Sequence, residues 1–169
     1  TEFVKTISGM ADGATYDVYV VAEDDVPNVQ TTVASVLDIA LPALKAEPSE
    51  DVSGLAVGAV TSTSVTINWT DAGGAVTPDG YMIQIKSGGV WGAPVDGLPY
   101  AEDLVFDDGG TVYVANGVET YTFTGLSVGS TYEIRVVSHS NFGANINYKT
   151  DAIPTVSANT TYIELLTPN

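Results

Sequence analysis

Strict alternation of apolar and polar residues is the feature that most constrains the fold of this chain. In residues 64–70, valine, isoleucine and tryptophan alternate with threonine and asparagine, and the same period recurs in residues 81–86 and 131–137. Successive side chains of a strand point to opposite faces of a sheet, so each stretch predicts a strand with one buried face. The sequence therefore predicts an all-β protein.

An internal repeat lies near the two ends of the chain. Residues 7–21 align without gaps with residues 123–137, and both copies place a glycine-rich turn before a strand of alternating apolar residues. The identical pairs are Gly9 and Gly125, Gly13 and Gly129, Thr15 and Thr131, Tyr16 and Tyr132, Val20 and Val136, and Val21 and Val137. The beginning of the chain thus repeats a unit found near its end.

The tryptophan in residues 64–70, followed by a Gly-Leu…Gly-x-Thr-Tyr corner in residues 125–132, resembles the fibronectin type III family. This resemblance implies an immunoglobulin-like β-sandwich. It covers residues 48–160 as one complete copy, and residues 1–42 as the C-terminal half, the last three strands, of another. The strands that complete this half are expected from an upstream part of the same polypeptide or from another chain.

The remaining segments are expected to be connections. Residues 43–47 lie between Pro42 and Pro48, and proline at both ends disfavours a helix and stiffens a joint, so an interdomain linker is predicted. Residues 161–169 are expected to form a second linker or the start of a following strand or domain.

The resemblance also implies structural roles for three aromatic residues. Tyr16 and Tyr132 are expected to form tyrosine corners, in which the hydroxyl bonds to the backbone a few residues upstream. Trp69 is expected to lie in the core between the two sheets, because large aromatic side chains dominate such cores.

Residues 88–117 are longer than the simple fibronectin plan requires, and they are rich in glycine, proline and aromatic residues. Trp91 follows a glycine-rich stretch and Tyr100 follows nearby, so both rings are candidates for stacking on a glycan. The alternative is that these rings pack the insertion onto the sandwich, as side chains of long compact loops do. Packing is the interpretation that the sequence favours.

The chain is strongly acidic. It has 21 Asp and Glu residues against 5 Lys and Arg, a formal net charge of -16, and no cysteine. Nucleic acids and anionic lipids both require basic surfaces, so neither is an expected partner. Because no apolar run reaches the roughly 18 residues of a spanning helix, no membrane insertion is predicted.

Two groups of carboxylates are candidate calcium sites, since calcium prefers oxygen ligands and can stiffen acidic joints between domains. The first group comprises Glu23, Asp24, Asp25, Glu47, Glu50 and Asp51. The second group, within the insertion, comprises Asp96, Glu102, Asp103, Asp107 and Asp108, of which the last three are the candidate ligands. Neither group has the spacing of an EF-hand loop, and the alternative is that both are solvated acidic loops. No cofactor is expected to be required.

No catalytic constellation is recognisable, so the chain is not expected to be an enzyme. His139, the only histidine, is expected on a surface loop beyond a strand. A catalytic triad needs a base within reach of a nucleophile and a carboxylate, and serines are too frequent here to indicate one. Asp107 and Asp108 are adjacent on a loop, which provides neither the cleft nor the spacing of a glycoside hydrolase.

Short sequence motifs in residues 78–81, 93–97, 121–126 and 144–151 resemble those of a fibronectin type III subtype. This subtype is found in large secreted proteins of gliding and polymer-degrading Gram-negative bacteria. Those proteins are similar to cargo of the type IX secretion pathway. The resemblance implies a non-catalytic spacer or interaction repeat of a secreted or cell-surface protein, such as an adhesin or a multidomain extracellular enzyme. Its expected partners are neighbouring domains or neighbouring chains. Two alternatives remain open: a carbohydrate-binding module, and a filament subunit whose residues 162–166 complete a neighbour's half domain.

Overall fold

The computed structural model describes residues 6–11, 13–21, 25–26, 36–41 and 43–162. The chain divides into two compact units, Thr1–Leu44 and Lys45–Asn169. No helix within these described ranges is long and apolar enough to cross a membrane.

In the first unit, two antiparallel strands form a small sheet. β1 (Thr15–Tyr19) pairs with β2 (Val36–Ala40), and Thr15 lies opposite Ala40. Side chains along β1 alternate between exposed and partly buried, as expected for a strand with one covered face. The strand that is predicted to precede β1 corresponds, through the repeat, to residues 4–8, and the first two of these lie outside the described residues.

The second unit is a sandwich of two antiparallel sheets. One sheet has three strands, in the spatial order β3 (Ser53–Val60), β4 (Ser64–Thr70) and β7 (Thr120–Thr124). The other has five strands, in the order β10 (Thr155–Asn159), β8 (Thr131–Ser140), β5 (Gly80–Lys86) and β6 (Gly109–Ala115), with β9 (Asn147–Tyr148) paired to the end of β8. A single 3-10 turn (Gly143–Asn145) follows β8. The predicted all-β sandwich is confirmed.

The main core lies between the two sheets and is built from the alternating apolar residues. Val65, Ile67 and Phe123 of the three-stranded sheet are fully buried, as are Ile83 and Ile134 of the five-stranded sheet. Burying an aliphatic or aromatic side chain of this size contributes about 1.5–3 kcal/mol relative to leaving it exposed. The period-2 pattern of the sequence thus determines which face of each strand joins the main core.

The central strands β5 and β8 are buried on both faces. Alternation in residues 81–86 predicts one buried face, yet Met82 and Gln84 on the other face are buried as well. On β8, Arg135 and Val137 behave in the same way. The five-stranded sheet therefore carries a second covering layer on its outer face.

The predicted insertion, residues 88–117, divides into a loop and a strand. β6 pairs with β5 along its whole length and belongs to the sandwich itself. Residues 87–108 are therefore the additional segment, and they form a loop that returns to the sheet before β6 begins.

Candidate functional site

A second, smaller core covers the outer face of the five-stranded sheet, and we call it the outer core. Its buried members are Met82, Val137, Ile146 and Tyr148, and the partly buried residues packed against them are Tyr100, Tyr113 and Ile153. Met82 and Val137 come from the central strands, whereas Tyr100 comes from the loop at residues 87–108. The loop is thus packed as part of the fold, and this face distinguishes the chain from a minimal sandwich.

Tyrosine hydroxyl groups attach the loop to the outer core. The hydroxyls of Tyr113 and Tyr148 lie 2.7 Å apart, and the Tyr113 hydroxyl accepts a hydrogen bond from the backbone N–H of Tyr100 at 3.0 Å. The hydroxyl of Tyr100 donates to the carbonyl of Ala93 at 3.2 Å. Burial, and then the hydrogen bond with Tyr113, raises the pKa of Tyr148 well above its usual range. The Tyr148 hydroxyl therefore stays protonated at neutral pH and holds its place in this network.

Trp91 covers a buried arginine. The centroid of its ring lies 4.3 Å from Nζ of Lys86 and 4.4 Å from Cζ of Arg135, both within the range of a cation–π contact. Arg135 is 5% exposed and donates from Nε and Nη2 to Oε1 of Gln84 at 2.9 and 2.6 Å. Its Nη2 also donates to the carbonyl of Gly92 at 2.8 Å. Burial lowers the pKa of Arg135, and the ring of Trp91 supplies favourable negative potential to the buried cation.

The two predicted sugar-binding residues therefore both contact the sheet. Trp91 packs on Arg135, and Tyr100 meets Tyr148 edge-on with ring centroids 6.0 Å apart. Both side chains are partly buried. Their role in binding a glycan stays a prediction.

A shallow apolar pocket of about 170 Å³ opens beside the outer core. It is lined by Pro99, Tyr113, Phe142, Gly143 and Ile146. Phe142 is 66% exposed in the turn that follows β8. The walls are almost entirely apolar, so the pocket suits an apolar contact.

The predicted linker is fixed at Lys45 to the sandwich, chiefly by the turn after β8. The backbone N–H of Lys45 donates to Oδ1 of Asn141 at 2.9 Å, and Nδ2 of Asn141 donates to the carbonyl of Lys45 at 2.8 Å. Nζ of Lys45 forms an ion pair with Oδ1 of Asp79 at 2.6 Å. Burial opposes ionisation of Asp79, but hydrogen bonds from Lys45 and Asn141 outweigh it and lower its pKa. The entrance to the second unit is thus an ordered piece of that unit.

Two carboxylates of the first predicted calcium group, Glu47 and Asp51, lie near Lys149. Nζ of Lys149 is 3.9 Å from Oδ2 of Asp51, and it also pairs with Asp151. Burial is the largest cause that raises the pKa of Asp51, the charge of Lys149 lowers it in part, and Asp151 and Glu47 raise it. The net pKa is about 6. The cluster therefore combines a lysine with a carboxyl group that takes up its proton at mildly acidic pH.

Four other carboxylates belong to the first calcium group. Asp25 and Glu50 are exposed, and Glu23 and Asp24 lie outside the described residues. Within the part of the chain that the structure describes, no group of three or more His, Cys, Asp or Glu side chains is placed to hold a metal ion.

The second calcium group lies in the loop at residues 87–108, where its carboxylates bond to the nearby backbone. Oδ1 of Asp103 accepts from the N–H of Val105 at 3.0 Å, and Oδ1 of Asp107 accepts from the N–H of Asp108 at 3.1 Å. Each carboxylate keeps further acceptor capacity. Calcium binding at either group stays a prediction.

Both repeats contain a hydrogen bond between a tyrosine hydroxyl and the backbone five residues upstream. The hydroxyl of Tyr132 accepts from the N–H of Ser127 at 2.9 Å, and the hydroxyl of Tyr16 accepts from the N–H of Ala11 at 2.7 Å. This is the bonding pattern of a tyrosine corner. Trp69, which is 4% exposed, lies in the main core.

His139 is buried near the end of β8, which corrects the expectation of a surface loop. It is 1% exposed, because β8 continues through it and pairs there with both β5 and β9. Its Nδ1 lies 3.1 Å from the carbonyl oxygen of Asn141, and the rings of Tyr113, Phe142 and Tyr148 meet it edge-on. Burial lowers the pKa of His139, so the neutral imidazole packs as an aromatic ring.

Two packed antiparallel sheets and a tyrosine corner define an immunoglobulin-like β-sandwich. The profile of the fibronectin type III domain matches residues 48–155. The chain therefore belongs to the fibronectin type III family. Domains of this family are typically non-catalytic interaction or spacer modules.

Solved structures of low sequence identity share this fold. The chain is similar to the crystal structure of the chicken CNTN1 FN1-FN3 domains, with 16% identity and a TM-score of 0.55, over 94% of this chain and 47% of that one. It is also similar to the solution structures of the fn3 domain of human contactin 1, with 14% identity and a TM-score of 0.50, over 78% of this chain and 93% of that one. At such identities the likeness concerns the fold alone. No curated protein matches the chain.

Proposed function

We propose that the chain is a non-catalytic spacer and interaction repeat of a large secreted or cell-surface bacterial protein. Several short sequence motifs resemble repeats of proteins secreted by the type IX pathway, and this resemblance supports the bacterial, extracellular setting. A formal charge of -16 supports a strongly hydrated surface that repels other acidic molecules. The partners are then neighbouring domains of the same polypeptide.

This proposal rests mainly on the attachment of the predicted linker, through Lys45, to the sandwich. A spacer must transmit the position of one domain to the next, which a freely jointed tether does not do. Lys45 is held by two hydrogen bonds to Asn141 and by an ion pair to Asp79. The chain direction at the entrance of the complete domain is therefore fixed by that domain.

The first unit fits the same proposal as the end of a preceding repeat. Through the repeat, Tyr16 and Val18 of β1 correspond to Tyr132 and Ile134 of β8, which are fully buried in the complete sandwich. In β1 the equivalent side chains are only partly buried. Strands supplied from upstream would bury them in the same way, because a two-stranded ribbon needs a further layer for independent stability.

The test is to isolate the native polypeptide from its source and to map it by mass spectrometry. The proposal predicts a polypeptide much longer than 169 residues, with further fibronectin type III repeats, on the cell surface or in the medium. A cytoplasmic polypeptide of this length alone would contradict it.

A filament subunit is a second candidate, favoured by the two strands that make up the described part of the first unit. A neighbouring chain would supply strands to that unit, with residues 162–166 as the predicted donor. Tyr162 is 79% exposed, and residues 163–166 lie outside the described residues. Light scattering should then show filaments that lengthen as the protein concentration rises and that disappear when residues 161–169 are removed. A strictly monomeric native protein at high concentration would exclude this candidate.

A further inference from the structure

We propose that Asn116 is a site of self-catalysed modification, at which the fold promotes conversion of the asparagine to aspartate and isoaspartate through a cyclic imide. Asn116 and Gly117 form the only Asn-Gly pair in the sequence. They occupy the turn between β6 and β7, which is closed by a hydrogen bond from the N–H of Val118 to the carbonyl of Ala115 at 3.2 Å. Both residues are exposed to water, and glycine places no side chain against the closing ring.

Two side chains from neighbouring parts of the sandwich contact the reacting atoms. The backbone N–H of Gly117, whose nitrogen is the nucleophile, donates to Oδ2 of Asp71 at 2.9 Å. Oδ1 of Asn116 accepts a hydrogen bond from the hydroxyl of Tyr81 at 3.3 Å. A carboxylate on the N–H can act as a general base, and a donor on the carbonyl oxygen stabilises the oxyanion that forms there.

The surrounding structure holds both groups in place. Tyr81 is fully buried, and its hydroxyl accepts a hydrogen bond from the N–H of Ala72 at 3.0 Å. Burial is the largest cause that raises the pKa of Tyr81 well above its usual range, so the phenol remains a donor. The N–H of Asp71 donates to Oε1 of Glu119 at 3.0 Å, which fixes the backbone that carries the base.

The reaction balances with water as its only co-reactant. The nitrogen of Gly117 forms a bond to Cγ of Asn116 while its proton passes to Asp71, and negative charge develops on Oδ1, which faces Tyr81. The bond from Cγ to Nδ2 then breaks, and Nδ2 leaves as ammonia with the proton that Asp71 held. Water next opens the imide: attack at Cγ gives aspartate, and attack at the main-chain carbonyl gives isoaspartate.

The modification would alter the end of the sandwich at which this turn lies. It adds a negative charge beside Asp71 and Glu119, in a chain whose formal charge is already -16. The isoaspartate product also lengthens the main chain by one carbon within the turn. Both changes weaken the turn, since like charges repel and the closing hydrogen bond loses its geometry.

The first test compares the folded chain with a synthetic peptide of residues 112–121 at neutral pH and body temperature. Peptide mass mapping follows conversion at Asn116, and resistance to an aspartate-directed protease reports isoaspartate. Conversion should be about tenfold faster in the protein than in the peptide. This is a smaller rate enhancement than a positioned base and an oxyanion donor provide in enzymes. A rate in the protein equal to or below that of the peptide would overturn the proposal, because the turn would then protect Asn116.

A second test uses variants that separate the base from the fold. Asp71→Asn keeps an acceptor for the N–H of Gly117 but removes the base, so conversion should fall to the rate of the peptide at an unchanged melting temperature. Glu119→Gln is the matched control, because it keeps the acceptor for the N–H of Asp71 and contacts no reacting atom, and its rate should equal that of the wild type. If the Asp71→Asn variant were converted at the wild-type rate, Asp71 would not be the general base and the proposal would fail.

Discussion

The side-chain amide of Asn141 pairs in both directions with the backbone of Lys45. Its Oδ1 accepts from the N–H of Lys45 at 2.9 Å, and its Nδ2 donates to the carbonyl of Lys45 at 2.8 Å. Asn141 has φ of 59°, in the left-handed region that asparagine tolerates better than most other residues. A single asparagine therefore shapes the turn after β8 and fixes the segment that enters the domain.

Two substitutions at Asn141 should separate these effects. Asn141→Gly keeps the left-handed backbone but loses both side-chain hydrogen bonds, so the free energy of unfolding should fall by about 1–3 kcal/mol. Asn141→Ala should cost about 1 kcal/mol more, because it adds the strain of a left-handed residue with a Cβ atom. Urea denaturation measures both values, and hydrogen exchange at the amide of Lys45 should become faster in each. A glycine variant as stable as the wild type would mean that the pairing with Lys45 contributes nothing.

Trp91→Ala should destabilise the sandwich, because it uncovers the buried guanidinium of Arg135. Loss of the contacts with Lys86 and Arg135 should lower the free energy of unfolding by about 1–2 kcal/mol. Val90→Ala is the matched control: Val90 is 94% exposed, and surface changes of this kind stay within about 0.5 kcal/mol.

The same variant tests the carbohydrate-binding alternative. Affinity electrophoresis against a panel of plant and algal polysaccharides should show retardation of the wild type, and loss of it in Trp91→Ala, if Trp91 and Tyr100 bind sugars. No retardation of the wild type with any polysaccharide would remove that alternative. If Trp91→Ala lost polysaccharide binding without losing stability, Trp91 would instead be a sugar-binding residue that does not stabilise the fold.

The sequence predicts the main core well and the outer core poorly, for a physical reason. Alternation assigns Val65 and Ile67 to the interior because a strand has only two faces. The pattern does not indicate what covers the opposite face. Met82 and His139 are buried there by loops, and loops have no periodic sequence pattern from which their positions could be predicted. The pairing of Lys45 with Asn141 spans 96 residues, and no local pattern predicts such a contact.

Calcium should raise the melting temperature relative to a chelator if the predicted acidic sites bind it. A cation that binds only the folded chain stabilises it by RT ln(1 + [Ca²⁺]/Kd), so the melting point should rise by several degrees and keep rising with calcium concentration. Asp103→Asn combined with Asp107→Asn should remove the part of the rise that comes from the second group. Magnesium is the control, since it fits flexible carboxylate loops poorly. Identical melts in calcium and chelator would contradict both sites.

Asp51 should make stability depend on pH in the direction opposite to that of most carboxylates. Its pKa is raised from 3.8 to about 6, so between these values the folded state binds more protons than the unfolded state. The stability that this group contributes is present below pH 3.8 and is lost as pH rises through about 6. The side chain is 13% exposed and faces Lys149, so screening should limit the loss to about 1–2 kcal/mol.

Asp51→Asn removes this titration and serves as the reference for the measurement. Urea denaturation at a series of pH values across that window should show the wild type losing stability relative to Asp51→Asn as pH rises. Glu50→Gln is the matched control: it removes an exposed carboxylate beside Asp51 in the chain, and this variant should still lose stability relative to Asp51→Asn as pH rises. Parallel profiles of the wild type and Asp51→Asn would show that the proton on Asp51 is not coupled to folding. The burial of Asp51 beside Lys149 would then carry no energetic cost at neutral pH.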